Sequence, residues 1–170
     1  MIAELPDGAR RVVELGGGTG VFTQALIDHG IAPHDMLVLE LNEDLHHHLH
    51  ERFPLAHVVC GDAMQLPSIA ERCGFSAGGP ADAVLSGLGL LSMSKATQRG
   101  IVEGAFALLA PEGRLIQFTY GPTCPVNKEV LAALHLKARR ASMTLWNMPP
   151  ATIYVISRQR SKAITPTSMR

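Results

Sequence analysis

The sequence predicts an α/β fold: a mainly parallel sheet with helices on both faces and an antiparallel hairpin at its C-terminal end. Three observations carry this. Apolar runs of strand length alternate with amphipathic stretches along most of the chain. The first run, Val12 to Leu15, passes into Gly16-Gly17-Gly18-Thr19-Gly20 and then an amphipathic segment, which reads as strand, tight loop, helix. The last two runs are joined by Asn147-Met148-Pro149-Pro150 with no helix between them, so the chain must double back.

Each element follows from its own pattern. Val21 to His29 is the first helix. Met36-Leu37-Val38-Leu39-Glu40 is a strand fenced by Pro33 and His34-Asp35. His57-Val58-Val59-Cys60 is a third strand, ending in Gly61-Asp62-Ala63. Ala81 to Ser86 is a fourth. Ser94 to Leu109 is a helix with Ser94 as N-cap, its apolar residues Ile101, Ala105 and Leu108 recurring at helical spacing. Pro111-Glu112-Gly113 is a turn, and Arg114 to Tyr120 a fifth strand. Val126 to Leu136 is a short helix. Ser142 to Trp146 and Thr152 to Ser157 form the hairpin.

At 170 residues the chain is ample for one core, and no linker or composition break divides it, so residues 1–170 form a single domain. No apolar run is long enough to span a bilayer, and the start lacks the layout of a signal peptide. Cys60, Cys73 and Cys124 are odd in number and widely spaced, as expected of free thiols in a reducing cytoplasm; no zinc-site spacing occurs and no metal is expected. Net charge is zero, yet residues 1–125 carry 7 Lys or Arg against 14 Asp or Glu, and residues 126–170 carry 8 against 1. The basic group (Lys128, Lys137, Arg139, Arg140, Arg158, Arg160, Lys162) points to an anionic partner, nucleic acid or membrane.

The ligand is narrowed by spacing. From Gly16 the loop reads G-x-G-x-G, and the sixth position is Val21, so the dinucleotide fingerprint G-x-G-x-x-G is not met. Glu40 lies 20 residues after Gly20, where a carboxylate can accept from both hydroxyls of a ribose. Asp62, just past the third strand, can accept from an adenine amino group; read alone, it is a helix N-cap. Glu14, Glu40 and Asp62 thus end three successive strands at one edge of the sheet. Three carboxylates suit a cationic nucleoside without phosphate and repel a pyrophosphate. His46 and His50, at i and i+4, have no third ligand nearby and read as a surface helix.

The short glycine motif behind Glu14 resembles motif I of the class I S-adenosylmethionine-dependent methyltransferases, with their Rossmann-like, seven-stranded sheet. The stretch after the fourth strand, Ser86-Gly87-Leu88-Gly89-Leu90-Leu91-Ser92-Met93, has no Asn, Pro or aromatic to stack on a flipped base. Together with Gln117-Phe118-Thr119-Tyr120-Gly121-Pro122 and the run from Trp146 to Tyr154, it resembles the bacterial phosphatidylethanolamine N-methyltransferases of the rhizobial and rhodobacterial type. The resemblance runs from Arg11 to about Arg158. Two departures stand out. Gly89 takes the place of an expected Pro, and only eleven residues precede Val12, where the family carries an amphipathic helix; the chain is expected to lack that segment.

What the resemblance implies is specific. The reaction is successive methylation of the ethanolamine headgroup towards phosphatidylcholine, with S-adenosylmethionine as cofactor and S-adenosylhomocysteine as product. Glu14, Gly16, Gly18, Gly20, Glu40, Leu41, Asp62, Ala63 and Ser86 would hold the cofactor. Tyr120 would face the cation that forms on nitrogen and act as the catalytic residue, with Asn147, Tyr154 and Arg158 on the substrate beside it. The expected partner is phospholipid at an anionic membrane surface, met from the cytoplasm on the inner face of the cell membrane, without nucleic acid. Two rivals are an RNA adenine dimethyltransferase, against which the missing Asn-x-x-aromatic motif at Ser86 speaks, and a non-catalytic lipid-binding module, against which the intact carboxylates speak.

Overall fold

The computed structural model describes residues 1–144 and 151–159. Its strands are β1 (Val12–Leu15), β2 (Met36–Glu40), β3 (His57–Cys60), β4 (Ala81–Ser86), β5 (Leu109–Tyr120), β6 (Leu136–Thr144) and β7 (Ala151–Arg158). The helices are α1 (Val21–Asp28), α2 (Glu43–Arg52), α3 (Leu66–Arg72), α4 (Lys95–Leu108) and α5 (Lys128–Ala133). The strands form one sheet in the order β3-β2-β1-β4-β5-β7-β6. β1 to β5 pair in parallel, while β7 is antiparallel to both β5 and β6. The Rossmann-like α/β sheet with an antiparallel C-terminal pair is therefore as the sequence predicts.

Burial on both faces explains why β1, β2 and β4 read as nearly continuous apolar runs. Leu26 of α1 and Leu49 of α2 pack with Val12, Met36, Val38, Leu85 and Ile116 on one face. Ile69 of α3, Ile101 and Ala105 of α4 and Val130 of α5 pack with Val13, Leu15, Leu37, Val84, Leu115 and Ile156 on the other. Ser94 caps α4, accepting from the Thr97 amide at 3.1 Å, as its sequence position predicts.

Two regions depart from expectation. Pro111-Glu112-Gly113 is not a free turn: β5 leaves α4 directly at Leu109, and five steps along it, to Arg114, are matched by two along β4, from Ala81 to Ala83. The excess bulges out of the ladder, and a side chain at 113 would meet the Asp82 carbonyl at 3.1 Å. The sixth strand starts at Leu136, not Ser142, and α5 starts at Lys128 behind the cap Asn127, not at Val126. Lys137, Arg139 and Arg140 hide β6 from an apolar-run reading, because an edge strand tolerates and uses exposed charge. The hairpin connection from 145 to 150 lies outside the described residues.

Candidate active site at the carboxyl ends of the strands

The parallel strands end together at one mouth of the sheet. There β1 enters the glycine loop, whose Gly16 and Gly17 amides both point to the Leu39 carbonyl (2.8 and 3.2 Å). Gly17 is required by contact: a Cβ there would lie 2.6 Å from Val38 Cγ1 and 2.8 Å from Leu49 Cδ1. Gly18 has φ +55° and turns its amide onto Glu40 Oε2 at 2.9 Å. Glu40 Oε1 accepts from Leu41 and Asn42 amides at 2.9 and 3.0 Å. The last residue of β2 thus gathers three backbone N–H groups, and its carboxylate clasps the glycine loop to the next crossover. A group accepting several charge-assisted bonds is fixed in place, ready for hydroxyl donors.

Glu14 is the third residue of β1 and points to α1, where the Thr23 hydroxyl donates to Oε2 at 2.6 Å. It is 1% exposed, and its Oε1 has no hydrogen-bond partner. Burial pushes its carboxyl up from 4.5 to about 7; the Thr23 bond works against this, and the charge of Glu40 adds to it. Glu14 is thus a buried carboxyl with one oxygen unpartnered, two residues before the glycine loop.

Asp62 is exposed and follows β3; its Oδ1 caps the Met64 amide at 2.9 Å, and its Oδ2 has no described hydrogen bond. Asp62 is the N-cap that its position suggests, and Gly61 before it donates its amide to the Glu40 carbonyl at 3.0 Å. Leu41 and Met64, 68% and 45% exposed, are apolar side chains next to those two acids, while Ala63 packs against the core. Ser86 ends β4 next to Leu15, and its Oγ accepts from the Leu88 amide at 3.3 Å.

Beyond Ser86 a pocket of ≈ 260 Å³ is walled by Gly87, Leu88, Gly89, Leu91, Ser92, Phe118, Thr119 and Tyr120. Among the described residues, no charged side chain lines it. Leu88 packs on the glycine loop, coming within 3.0 Å of where a Gly16 Cβ would stand, so the pocket adjoins the loop. Tyr120 ends β5, is 57% exposed and meets Phe118 edge-on at 5.0 Å. Tyr154 is buried and its hydroxyl donates to the Pro122 carbonyl, so it braces the loop after Tyr120 from below. Asn147 lies outside the described residues, as does Trp146.

Arg158 is a correction. β7 runs against β5, so Ala151 faces Tyr120 at the mouth while Arg158 lies at the opposite end of the sheet. Seven residues at about 3.3 Å each separate it from the mouth. Its guanidinium donates to the Phe106, Leu109, Ala110 and Pro111 carbonyls where α4 gives way to β5. The basic group is dispersed with it. A groove of ≈ 540 Å³ at that far end is lined by Arg114, Lys137, Arg139 and Arg158. Arg139 is paired with Glu4 at 2.8 Å and Arg114 donates to the Glu4 carbonyl at 3.3 Å. The positive charge of these residues is therefore not arranged around the mouth. Arg160 and Lys162 lie outside the described residues.

His46 and His50 stack at 6.0 Å on α2, and no three metal-ligating side chains cluster among the described residues. No helix there is long and apolar enough to cross a membrane. All three cysteines are free.

No family model matches the sequence. Among curated proteins, the chain is 37% identical over 119 residues to an ornithine lipid N-methyltransferase of Singulisphaera acidiphila. That match covers 68% of this chain and 60% of the relative, so the chain spans about three fifths of the length of the curated protein it matches. Solved structures share its fold at low identity. A TehB-like SAM-dependent methyltransferase of Corynebacterium glutamicum superposes with TM-score 0.64 at 15% identity, covering 93% of this chain and 84% of that one. The SAM-bound amino pentose methyltransferase CalS10 of Micromonospora echinaspora does so with TM-score 0.63 at 16% identity, covering 90% and 85%. The SAM-bound magnesium protoporphyrin IX methyltransferase of Synechocystis gives 0.62 at 17% identity, covering 93% and 73%. The chain thus has the fold of these S-adenosylmethionine-dependent methyltransferases and is similar in sequence to a lipid N-methyltransferase.

Proposed function

We propose that the chain methylates the amine of a lipid headgroup, using S-adenosylmethionine and acting on phosphatidylethanolamine towards phosphatidylcholine. The observation that carries this reading is the meeting of two unlike half-sites. Glu40 clasps the glycine loop, with Glu14 two residues before that loop and Asp62 just past the neighbouring strand β3, and a pocket lined by no charged side chain among the described residues, ending in Tyr120, adjoins that loop. The curated relative's name supports an amino lipid as acceptor.

The cofactor side fits a cationic nucleoside. Glu40 would take the ribose hydroxyls and Asp62 the adenine amino group, with Leu41 and Ala63 beside the base. Glu14, Gly16, Gly18, Gly20 and Ser86 would hold the remainder, and the unpartnered Oε1 of Glu14 supports this reading. When bound, S-adenosylmethionine supplies an electrophilic methyl group on a sulfonium.

The chain's residues then do three things. The apolar walls favour the uncharged amine over its ammonium form, which frees the lone pair for attack. Leu88 and Phe118 exclude water from the pocket floor and align the amine beside the glycine loop, the kind of placement that supplies much of a displacement's rate. Tyr120 turns its ring and hydroxyl toward the positive charge that develops on nitrogen. The enzyme would work at the inner face of the cell membrane.

The test is labelled-methyl transfer from S-adenosylmethionine to three acceptors: vesicles of phosphatidylethanolamine, vesicles of ornithine lipid, and ribosomal RNA. Incorporation into phosphatidylethanolamine is expected. Incorporation into ornithine lipid alone would change the headgroup, and into RNA alone would overturn the reading. Tyr120→Ala should slow turnover about tenfold, as loss of a cation–π contact would; full turnover would remove Tyr120 from the mechanism.

A further inference from the structure

We propose that Gln98 is a positioning residue for the acceptor: its buried amide locks the loop after β4 to the loop after β5, and so sets the shape of the pocket beside the glycine loop. This rests on the methyltransferase reading above, because it names what shapes that site's acceptor half.

The loop from Gly87 to Met93 supplies five of the eight pocket-lining residues, yet it contains two glycines and neither proline nor an aromatic residue. Its shape comes from beneath. Gln98, 6% exposed near the start of α4, donates through Nε2 to the Leu90 carbonyl at 2.8 Å and the Met93 carbonyl at 3.3 Å. Its Oε1 accepts from the Asn127 amide at 2.8 Å. Asn127 closes the loop that begins after Tyr120, and its own side chain caps α5 by accepting from the Glu129 amide at 2.9 Å. Both donors and the acceptor of one amide are thus engaged, across two loops. Gln117 adds a third carbonyl of the same loop, donating to Leu88 at 2.9 Å. Among the described residues, Gln98 is the one whose side chain hydrogen-bonds both loops.

The position is informative. Gln98 lies one helical turn before Ile101 on the apolar stripe of α4, where an aliphatic residue would pack without cost. A buried amide is favourable there only if fully bonded. Its three bonds all go to loop backbone that walls or flanks the acceptor pocket, and none to the Glu40 clasp. Loss of Gln98 should therefore loosen the acceptor half and leave the cofactor half in place.

Two measurements on the full chain decide this. In hydrogen exchange without lipid, Gln98→Met should speed exchange about tenfold in both 87–93 and 121–127, the effect of losing about one hydrogen bond's worth of protection, with β1 to β3 unchanged. Gln98→Glu keeps an acceptor for the Asn127 amide, so it should expose 90–93 and spare Asn127; it also serves if the Met variant does not fold. Exchange rising in one loop only for Gln98→Met, or across the whole sheet for both variants, would overturn the coupling. In turnover on phosphatidylethanolamine vesicles, the KM for lipid should rise about tenfold while the KM for S-adenosylmethionine stays within about twofold. Both constants rising together would make Gln98 merely structural. If the unaltered chain methylates none of the vesicles, it is the lipid reading that fails, and the exchange result still stands on its own.

Discussion

The two halves of the mouth are built by opposite means. On the β3-β2-β1 side, function is carried by charged side chains at strand tips, held by backbone amides close in sequence or just across the sheet: Glu40 by Gly18, Leu41 and Asn42, Asp62 by Met64. On the β4-β5-β7 side no charged side chain lines the pocket among the described residues, and side chains distant in sequence tie down its loop and the loop beyond Tyr120: Gln117 on Leu88, Gln98 on Asn127, Tyr154 on Pro122. The first half can be damaged by one charge. The second is damaged by loosening.

The largest effect should come from the clasp. In Glu40→Ala, three amides lose their carboxylate and the proposed ribose hydroxyls lose theirs. Two charge-assisted bonds at about 1.5–3 kcal/mol each predict S-adenosylmethionine binding weaker by on the order of 1000-fold in calorimetry. Binding within threefold of the unaltered chain would break the contrast, because the charged half would then not be the cofactor half.

Glu14 offers the next largest. Its pKa is raised to about 7 in the folded chain from 4.5. The folded state therefore holds a proton that the unfolded state releases between those values, and stability falls as pH rises from about 4.5 to about 7, then levels off. The full difference is about 3 kcal/mol at about 1.36 kcal/mol per pKa unit. Glu14→Gln keeps the Thr23 contact without the charge, so its unfolding midpoint in urea should lose that slope. A slope that persists unchanged belongs to other groups. By the same linkage, a cationic cofactor should bind more tightly above pH 7 in the unaltered chain, and that pH dependence should flatten in Glu14→Gln.

A smaller effect separates crowding from conformation within the loop. Gly17→Ala drives a methyl into Val38 and Leu49 and should cost about 1–3 kcal/mol of stability. Gly18→Ala meets nothing within 4 Å and faces only its φ of +55°, so about 1 kcal/mol is expected. Equal losses in thermal unfolding would show that the two glycines serve one purpose.

What was legible in the sequence follows the same division. The parallel strands, the glycine loop and the acidic tips are local signals: each lies within a few residues of the element it marks. The charges of β6 mask the first half of this edge strand, and Pro111-Glu112-Gly113 looks like a turn until the neighbouring strand shows it to be a bulge within β5. The resemblance implies substrate contact for Arg158, whereas an antiparallel strand carries it to the far end of the sheet. Gln98 escaped notice for a related reason. Its polar interruption of an apolar stripe is visible in α4, but its partners are seen only once two loops are brought together.

The smallest effect tests whether the acceptor half is held by those distant ties alone. Gly89 stands where the resemblance expects proline. Its φ is −74°, within the range a proline ring imposes, and a Cβ there would come no closer than 3.5 Å to Ser92 Oγ. No hydrogen bond from its amide is described, whereas its carbonyl accepts from Ser92. Gly89→Pro removes freedom from the unfolded chain without a clash at Cβ, so it should raise stability by about 0.4–1 kcal/mol in urea unfolding. If Gln98 and Gln117 already hold this loop, the same change should leave lipid KM nearly constant, and it should partly restore KM in Gln98→Met. A large fall in lipid KM from Gly89→Pro in the unaltered chain would show instead that the buried amides leave the loop loose, and that stiffness must come from the loop's own backbone.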